Sequence, residues 1–91
     1  MDKNKILLYN AVKLLIDGDV EKGKDALKTY IKVTNTIGII ASELNCHVNS
    51  VRRMVGPKGN PTIQNMFGIL KACQRHEGYA SSKEFLSHMS R

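Results

Sequence analysis

The segment Gly56-Pro57-Lys58-Gly59-Asn60-Pro61 constrains this chain more than any other part of it. Proline and glycine are unfavourable in helix interiors and in central strands, and asparagine is common in turns. The six residues therefore predict a loop. Thr62 follows directly, and threonine is a favoured N-cap residue, which predicts a helix that begins beside it.

Two short helices are predicted immediately before this loop. The first covers about residues 37–44, with Thr36 as a candidate N-cap and with apolar residues at i, i+3, i+4 and i+7. These residues are Ile37, Ile40, Ala41 and Leu44. The second covers about residues 48–55, and its inward positions are Val51, Met54 and Val55. Asn45-Cys46-His47 connects the two, and asparagine tolerates positive φ, so the pattern predicts a helix-turn-helix.

Helical spacing also extends through the first third of the chain. A helix is expected over about residues 4–16, with Leu8, Val12 and Leu15 on one face. Gly18 can end it in the left-handed conformation, and Asp19 can cap a second helix over about residues 20–32. The inward positions of that helix are Val20, Leu27 and Ile31, and Gly23 within it indicates close packing.

Beyond the loop, the sequence predicts one long helix and a short final element. Ile63, Met66, Phe67 and Leu70 repeat at helical spacing and are expected to face inward. Ser81 and Glu84 form a candidate capping box ahead of Phe85, Leu86 and Met89. A last short helix and a frayed tail both fit the segment that begins at about residue 77. The expected fold is a single all-α domain of five or six helices over residues 1–91.

Composition limits the architecture and the location of the protein. The chain has 91 residues, of which 42% are hydrophobic, and this is enough for one compact core but not for two. No apolar run is long enough to span a bilayer, and no small-residue cleavage site follows the short apolar runs at residues 6–8 and 14–16. Two cysteines are too few for a disulfide framework. We expect a soluble cytoplasmic protein with free thiols and no membrane partner.

The distribution of charge points to a polyanionic partner. The formal net charge is +6, and no acidic residue occurs between Asn45 and Arg75. The basic residues of that segment are Arg52, Arg53, Lys58, Lys71 and Arg75. The lysines between Lys3 and Lys32 are instead offset by nearby Asp and Glu residues, so we expect the first half to carry no electrostatic role.

Metal binding and catalysis find little support in the sequence. Cys46, His47, Cys73 and His76 are residue types that bind zinc. However, the cysteines occupy expected inward positions, and adjacent Cys46-His47 lacks the usual spacing between ligands. Neither a nucleophile–base constellation nor a phosphate-binding glycine loop is present. The chain is therefore expected to be no enzyme and to hold neither a metal nor a cofactor.

From about Leu8 to Gly78 the chain resembles the addiction-module antidote proteins, which are Cro/repressor-like antitoxins encoded beside a small toxin. The segments that carry the resemblance are Gly18-Asp19, Ala26-Leu27, Ala41-Ser42-Glu43, Gly59-Asn60-Pro61-Thr62 and Leu70-Lys71-Ala72. The chain departs from the family pattern at Ile39, where a glutamine is usual, and at Asn45-Cys46, where glycine and leucine are common. His47 replaces a frequent serine and is expected to be a poorer cap of the recognition helix.

The resemblance implies a Cro/repressor-like fold, a homodimer that represses transcription from a palindromic operator, and a small toxin as partner. A recognition helix reads base edges near its N-terminus, so Val48, Asn49 and Arg52 are the candidate base contacts. Phosphate contacts need donors and positive charge. The candidates are Arg53, Lys58, Thr62, Gln64 and Asn65.

Two other functions remain open, and so does the surface for a partner. The chain fits a stand-alone phage or mobile-element regulator without a toxin, and it fits a protein-interaction module with a vestigial helix-turn-helix. Leu7, Ala11 and Leu14 form a second apolar stripe on the first helix, beside the inward one. We expect that stripe to contact either the toxin or a second copy of the chain.

Overall fold

The computed structural model describes residues 2–79 and 82–89, and all regular secondary structure within them is α-helical. The helices are α1 (Lys3–Ile16), α2 (Val20–Thr34), α3 (Ile37–Leu44), α4 (Val48–Val55), α5 (Ile63–His76) and α6 (Ser82–Met89). The predicted all-α class with a sixth helix is confirmed, and α3 and α4 have the predicted bounds. The proposed cap Ser81 lies outside the described residues. None of the described helices is both long and apolar enough to cross a membrane.

α1 and α2 make the most extensive helix pair of the fold. Gly18 ends α1 with φ +88°, and the Asp19 carboxylate accepts a hydrogen bond from the Lys22 amide at 3.4 Å. A Cβ on Gly23 would lie 2.7 Å from Cγ and Cδ2 of Leu15. The predicted turn, cap and close packing are therefore all present, and they fix α2 against α1.

All six helices contribute buried residues to the core. Tyr30 of α2 is fully buried, and its hydroxyl donates to the Glu77 carboxylate at 2.6 Å, beyond the C-terminal end of α5. Burial and this hydrogen bond raise the pKa of Tyr30 above its ordinary value. Burial also raises the pKa of the Cys73 thiol to about 12, so Cys73 is a neutral core residue at physiological pH. Both cysteines are free.

Several side chains differ from their predicted burial. Val20, Ile63 and Phe67 are exposed although the helical pattern placed them inward. The buried face of α5 is formed instead by Ile69, Leu70, Ala72, Cys73 and Gln74. The pattern shows that one face is apolar, but it does not show which turns of the helix a neighbour covers. α5 packs mainly against α3, and Ile63 and Phe67 lie on a side of its first two turns that the described residues leave exposed.

The second stripe on α1 is largely used inside the protomer. Ala11 is fully buried and Leu7 packs against the core, so the predicted free partner surface is much reduced. The segment after Glu77 is also part of the core. Phe85 of α6 is fully buried, and its ring meets Tyr79 edge to face with centroids 5.1 Å apart. The structure therefore decides in favour of a packed final helix over a frayed tail.

Candidate nucleic-acid interface

The turn between α3 and α4 is held by backbone geometry at Asn45. Asn45 takes the left-handed conformation, with φ 54° and ψ 48°, as the sequence predicts. Its amide donates to the carbonyls of Ala41 and Ser42, and the Cys46 amide donates to the Ala41 carbonyl at 3.0 Å. These bonds satisfy the last carbonyls of α3 and direct the chain into α4.

Both predicted caps of these helices differ from expectation. His47 was expected to be a poor cap, but its Nδ1 accepts a hydrogen bond from the Asn49 amide at 3.1 Å. Thr36 occupies the N-cap position of α3 without a side-chain cap bond. Its buried hydroxyl bonds to that of Thr34 at 2.9 Å instead. A ring nitrogen can therefore replace the usual oxygen acceptor, and the Thr36 hydroxyl bonds to another side chain in place of the α3 amides.

The predicted base contacts divide into a partly buried residue and an exposed pair. Val48 packs partly against the core, which limits the side-chain surface it can present. Asn49 and Arg52 are exposed, one turn apart on α4, and Arg52 donates to the Asn49 side-chain oxygen at 2.8 Å. Arg53 is also exposed. The Asn49–Arg52 pair is thus arranged on the surface before any ligand binds.

The predicted phosphate contacts lie in the loop and in the first turn of α5. Lys58, Thr62 and Gln64 are exposed, and Asn65 is half-buried. The Thr62 hydroxyl accepts from the Asn65 amide at 3.1 Å, so the predicted cap is present. The first turn of α5 contains no acidic residue. Its N-terminal amides and dipole therefore favour an anion.

An open groove of about 1080 Å³ brings most of these residues together. Arg52, Arg53, Lys58, Thr62 and Asn65 line it, whereas Val48, Asn49 and Gln64 do not. Its floor is apolar and includes Ile31, Ile37, Met54 and Val55. The second half of α4, the loop and the start of α5 therefore line one continuous surface.

Sequence reasoning missed two members of this groove, Lys28 and Lys32 of α2. Both are exposed, and they raise the number of basic side chains in the lining to five, with no acidic residue among them. These two lysines of the first half of the chain therefore add positive charge to the groove, which the sequence analysis did not anticipate. Their i, i+4 spacing places them on one face of α2, but only the packing of α2 on α4 shows what that face adjoins.

No group of three or more His, Cys, Asp or Glu side chains in the described part of the chain is arranged to hold a metal ion. Comparison with known proteins adds no assignment. No protein family, curated protein or solved structure matches this chain. The function is therefore inferred from the residues themselves and from the resemblance to the addiction-module antidote proteins.

Proposed function

We propose that this protein is a transcriptional repressor that binds double-stranded DNA sequence-specifically, as a homodimer on a palindromic operator. In this proposal α3, the turn and α4 form a Cro/repressor-like helix-turn-helix, and α4 enters the major groove. The observation that carries it is the groove with five basic and no acidic side chains, beside an exposed Asn–Arg pair on a short helix.

Base reading is assigned mainly to Asn49 and Arg52. Asparagine pairs bidentately with adenine, and arginine pairs bidentately with guanine, through donors and acceptors on the major-groove edge. The hydrogen bond between Asn49 and Arg52 restricts both side chains before binding, which lowers the entropy that binding must offset. Val48 has a hydrocarbon side chain and can make only an apolar contact, and its partial burial reduces the surface available for one.

Phosphate binding is assigned to the groove wall and to the start of α5. Arg53, Lys58 and the amide-rich turn after Thr62 supply donors and positive charge, and Gln64 and Asn65 add polar groups. Lys28 and Lys32 extend the same surface onto α2. Each neutralised phosphate releases counterions, so affinity should fall steeply as salt increases.

Arg52→Ala and Lys58→Ala separate these two roles. Arg52→Ala should cost about 1–3 kcal/mol of binding free energy and relax preference at one base pair. Lys58→Ala should weaken all sequences alike and reduce the salt slope by about one. Footprinting of the DNA upstream of the gene first locates the operator. The measurement is then a salt series of binding titrations with that operator and with a scrambled duplex. Lys13→Ala is the control, because Lys13 is an exposed lysine of α1 that does not line the groove.

Absence of any protected inverted repeat in the footprint at low salt would contradict the proposal. Equal weakening of both duplexes by Arg52→Ala would contradict the assignment of Arg52 to base reading. DNA binding without salt dependence, or none at all, would favour the protein-interaction module.

The homodimer interface is assigned to the exposed apolar residues at the start of α5. Ile63 is 76% exposed and Phe67 is 64% exposed, and they lie one turn apart. Residues 63–70 contain no charged side chain, so this segment itself brings no like charges face to face in a symmetric dimer. A symmetric dimer uses the same patch twice. Such a dimer would also place the two phosphate-contacting turns near its two-fold axis.

Ile63→Gln/Phe67→Gln should convert the dimer to a monomer and weaken operator binding by at least about tenfold, since the two half-sites would then be bound separately. Analytical ultracentrifugation and titration with the operator measure both effects. Ile16→Gln/Val20→Gln is the matched control, because it changes another exposed apolar pair at the α1–α2 turn. A double glutamine variant of α5 that remains dimeric would exclude this interface.

A toxin partner is implied by the resemblance alone. Because Ala11 and Leu7 pack inside the protomer, the exposed apolar residues that α1 offers to a partner are Ile6 and Ile16, near its two ends. The stand-alone regulator has the same DNA contacts, so co-purification with the product of the adjacent gene distinguishes the two.

A further inference from the structure

A buried lysine contacts the loop that carries Lys58. Lys24 of α2 is only 3% exposed, which is exceptional for a lysine. Its ammonium donates to the carbonyl oxygens of Gly59 at 2.7 Å and Gly56 at 3.1 Å. It also lies 3.1 Å from the carboxylate of Glu21. The three donors of the ammonium therefore have three acceptors, which is what a buried lysine requires.

The two carbonyls are the contacts that matter for the shape of the loop. The Glu21 side chain is largely exposed, so water screens its attraction to Lys24. Gly56 and Gly59 stand at the two ends of a four-residue turn, and the Gly59 amide donates back to the Gly56 carbonyl at 3.0 Å. One ammonium thus holds both ends of the turn, and Lys58 lies inside it.

The turn is also pressed against the end of α4. The Gly56 amide donates to the Arg53 carbonyl at 3.2 Å, and a Cβ on Gly59 would overlap the same carbonyl oxygen. Lys24 therefore ties α2 to a turn that joins the proposed recognition helix to the first turn of α5. Its own ammonium cannot reach a phosphate, because it is enclosed and all its donors are used.

We propose that Lys24 is a positioning residue that holds the Gly56–Gly59 turn, and through it Lys58 and the N-terminus of α5, in the geometry that binds DNA phosphate. This inference rests on the proposed DNA-binding function. It differs from a purely structural role, since an apolar residue of similar size could fill the same space but would remove the Lys24 donor from the Gly59 carbonyl and leave the Gly56 carbonyl with the Gly59 amide alone in place of two donors.

The test compares Lys24→Met with Lys22→Met, a change at an exposed lysine of the same helix. Without DNA, amide hydrogen exchange should become at least about tenfold faster at Gly59, while core amides of α1 and α2 keep their protection. With operator DNA, affinity should fall by about tenfold and the salt dependence should become shallower. Lys22→Met should change neither. Lys24→Gln replaces Lys24→Met if that variant does not fold; glutamine is shorter than lysine and uncharged, so exchange at Gly59 should again become faster, but by less.

A double-mutant cycle shows whether Lys24 acts through Lys58. If it does, Lys58→Met should lower affinity less in the Lys24→Met background than in the wild type. Equal losses in both backgrounds would overturn the positioning role. Unchanged exchange at Gly59 would show that Lys24 does not hold the turn, whatever happens to DNA binding. If the wild type does not bind DNA, the proposed function fails and the phosphate role fails with it, while the exchange data still decide whether Lys24 holds the turn.

Discussion

Gly59→Ala is expected to be among the most damaging single substitutions in this chain, although it adds one methyl group. The new Cβ would overlap the Arg53 carbonyl oxygen, which belongs to the backbone and cannot rotate away. Overpacking of this kind typically costs about 1–3 kcal/mol. The turn would also have to leave the end of α4, and that would displace Lys58. We therefore expect a lower unfolding midpoint and, for the proposed binding to DNA, at least about tenfold weaker affinity, which corresponds to about 1.4 kcal/mol.

Gly38→Ala is the matched control for that substitution. Gly38 lies within α3, is exposed, and has no atom within 4 Å of an added Cβ. Alanine there should stabilise the protein by about 0.5–1 kcal/mol, because glycine loses more backbone freedom in a helix. Urea denaturation of both variants measures the difference. Similar midpoints for Gly59→Ala and the wild type would show that the turn can move aside at little cost.

Phe85→Ala should cause the largest loss of stability from the removal of a single side chain. Phe85 is fully buried, and it packs edge to face on Tyr79 at an interplanar angle of 80°. Truncation of a buried phenylalanine costs about 3–5 kcal/mol. Small domains have about 5–15 kcal/mol of stability in total, so this change would remove a large share of it. The measurement is urea denaturation followed by circular dichroism.

Leu86→Ala is the control within the same helix. Leu86 is the next residue along α6 and is 44% exposed, so its truncation should cost less than about 1 kcal/mol. Equal effects of the two substitutions would mean that α6 is not packed through Phe85, and the segment after Tyr79 would then contribute little to the core.

The bounds of the helices could be predicted because their signals are local. Gly18 and Asn45 take the left-handed conformation that their residue types tolerate, and Asp19 and Thr62 cap the helices that follow them. The turn formers of residues 56–61 separate α4 from α5 as expected. Each of these features depends on the conformational preferences of one to six neighbouring residues, so the sequence alone is sufficient to locate it.

The candidate site could be predicted only where it lies on one continuous segment. Asn49, Arg52, Lys58 and Thr62 follow each other along the chain and lie at the surface, as expected. Lys28 and Lys32 were missed because they reach the groove through the packing of α2 on α4. The inward assignment of Ile63 and Phe67 was wrong because periodicity identifies an apolar face, but not the length of helix that a neighbour covers.

The three lysines of α2 separate what the sequence determined from what only the tertiary structure decided. Lys24, Lys28 and Lys32 recur every fourth residue, so the sequence alone places them on one helical face. Tertiary packing then gives them different environments: Lys24 is enclosed by the carbonyls of the Gly56–Gly59 turn, while Lys28 and Lys32 line an open groove. The physical reason is that residue type and spacing determine which face of a helix a side chain occupies, and this depends only on residues a few positions away. The burial of a charge depends instead on acceptors that lie 32 and 35 residues away in the chain and meet it only after the helices have packed.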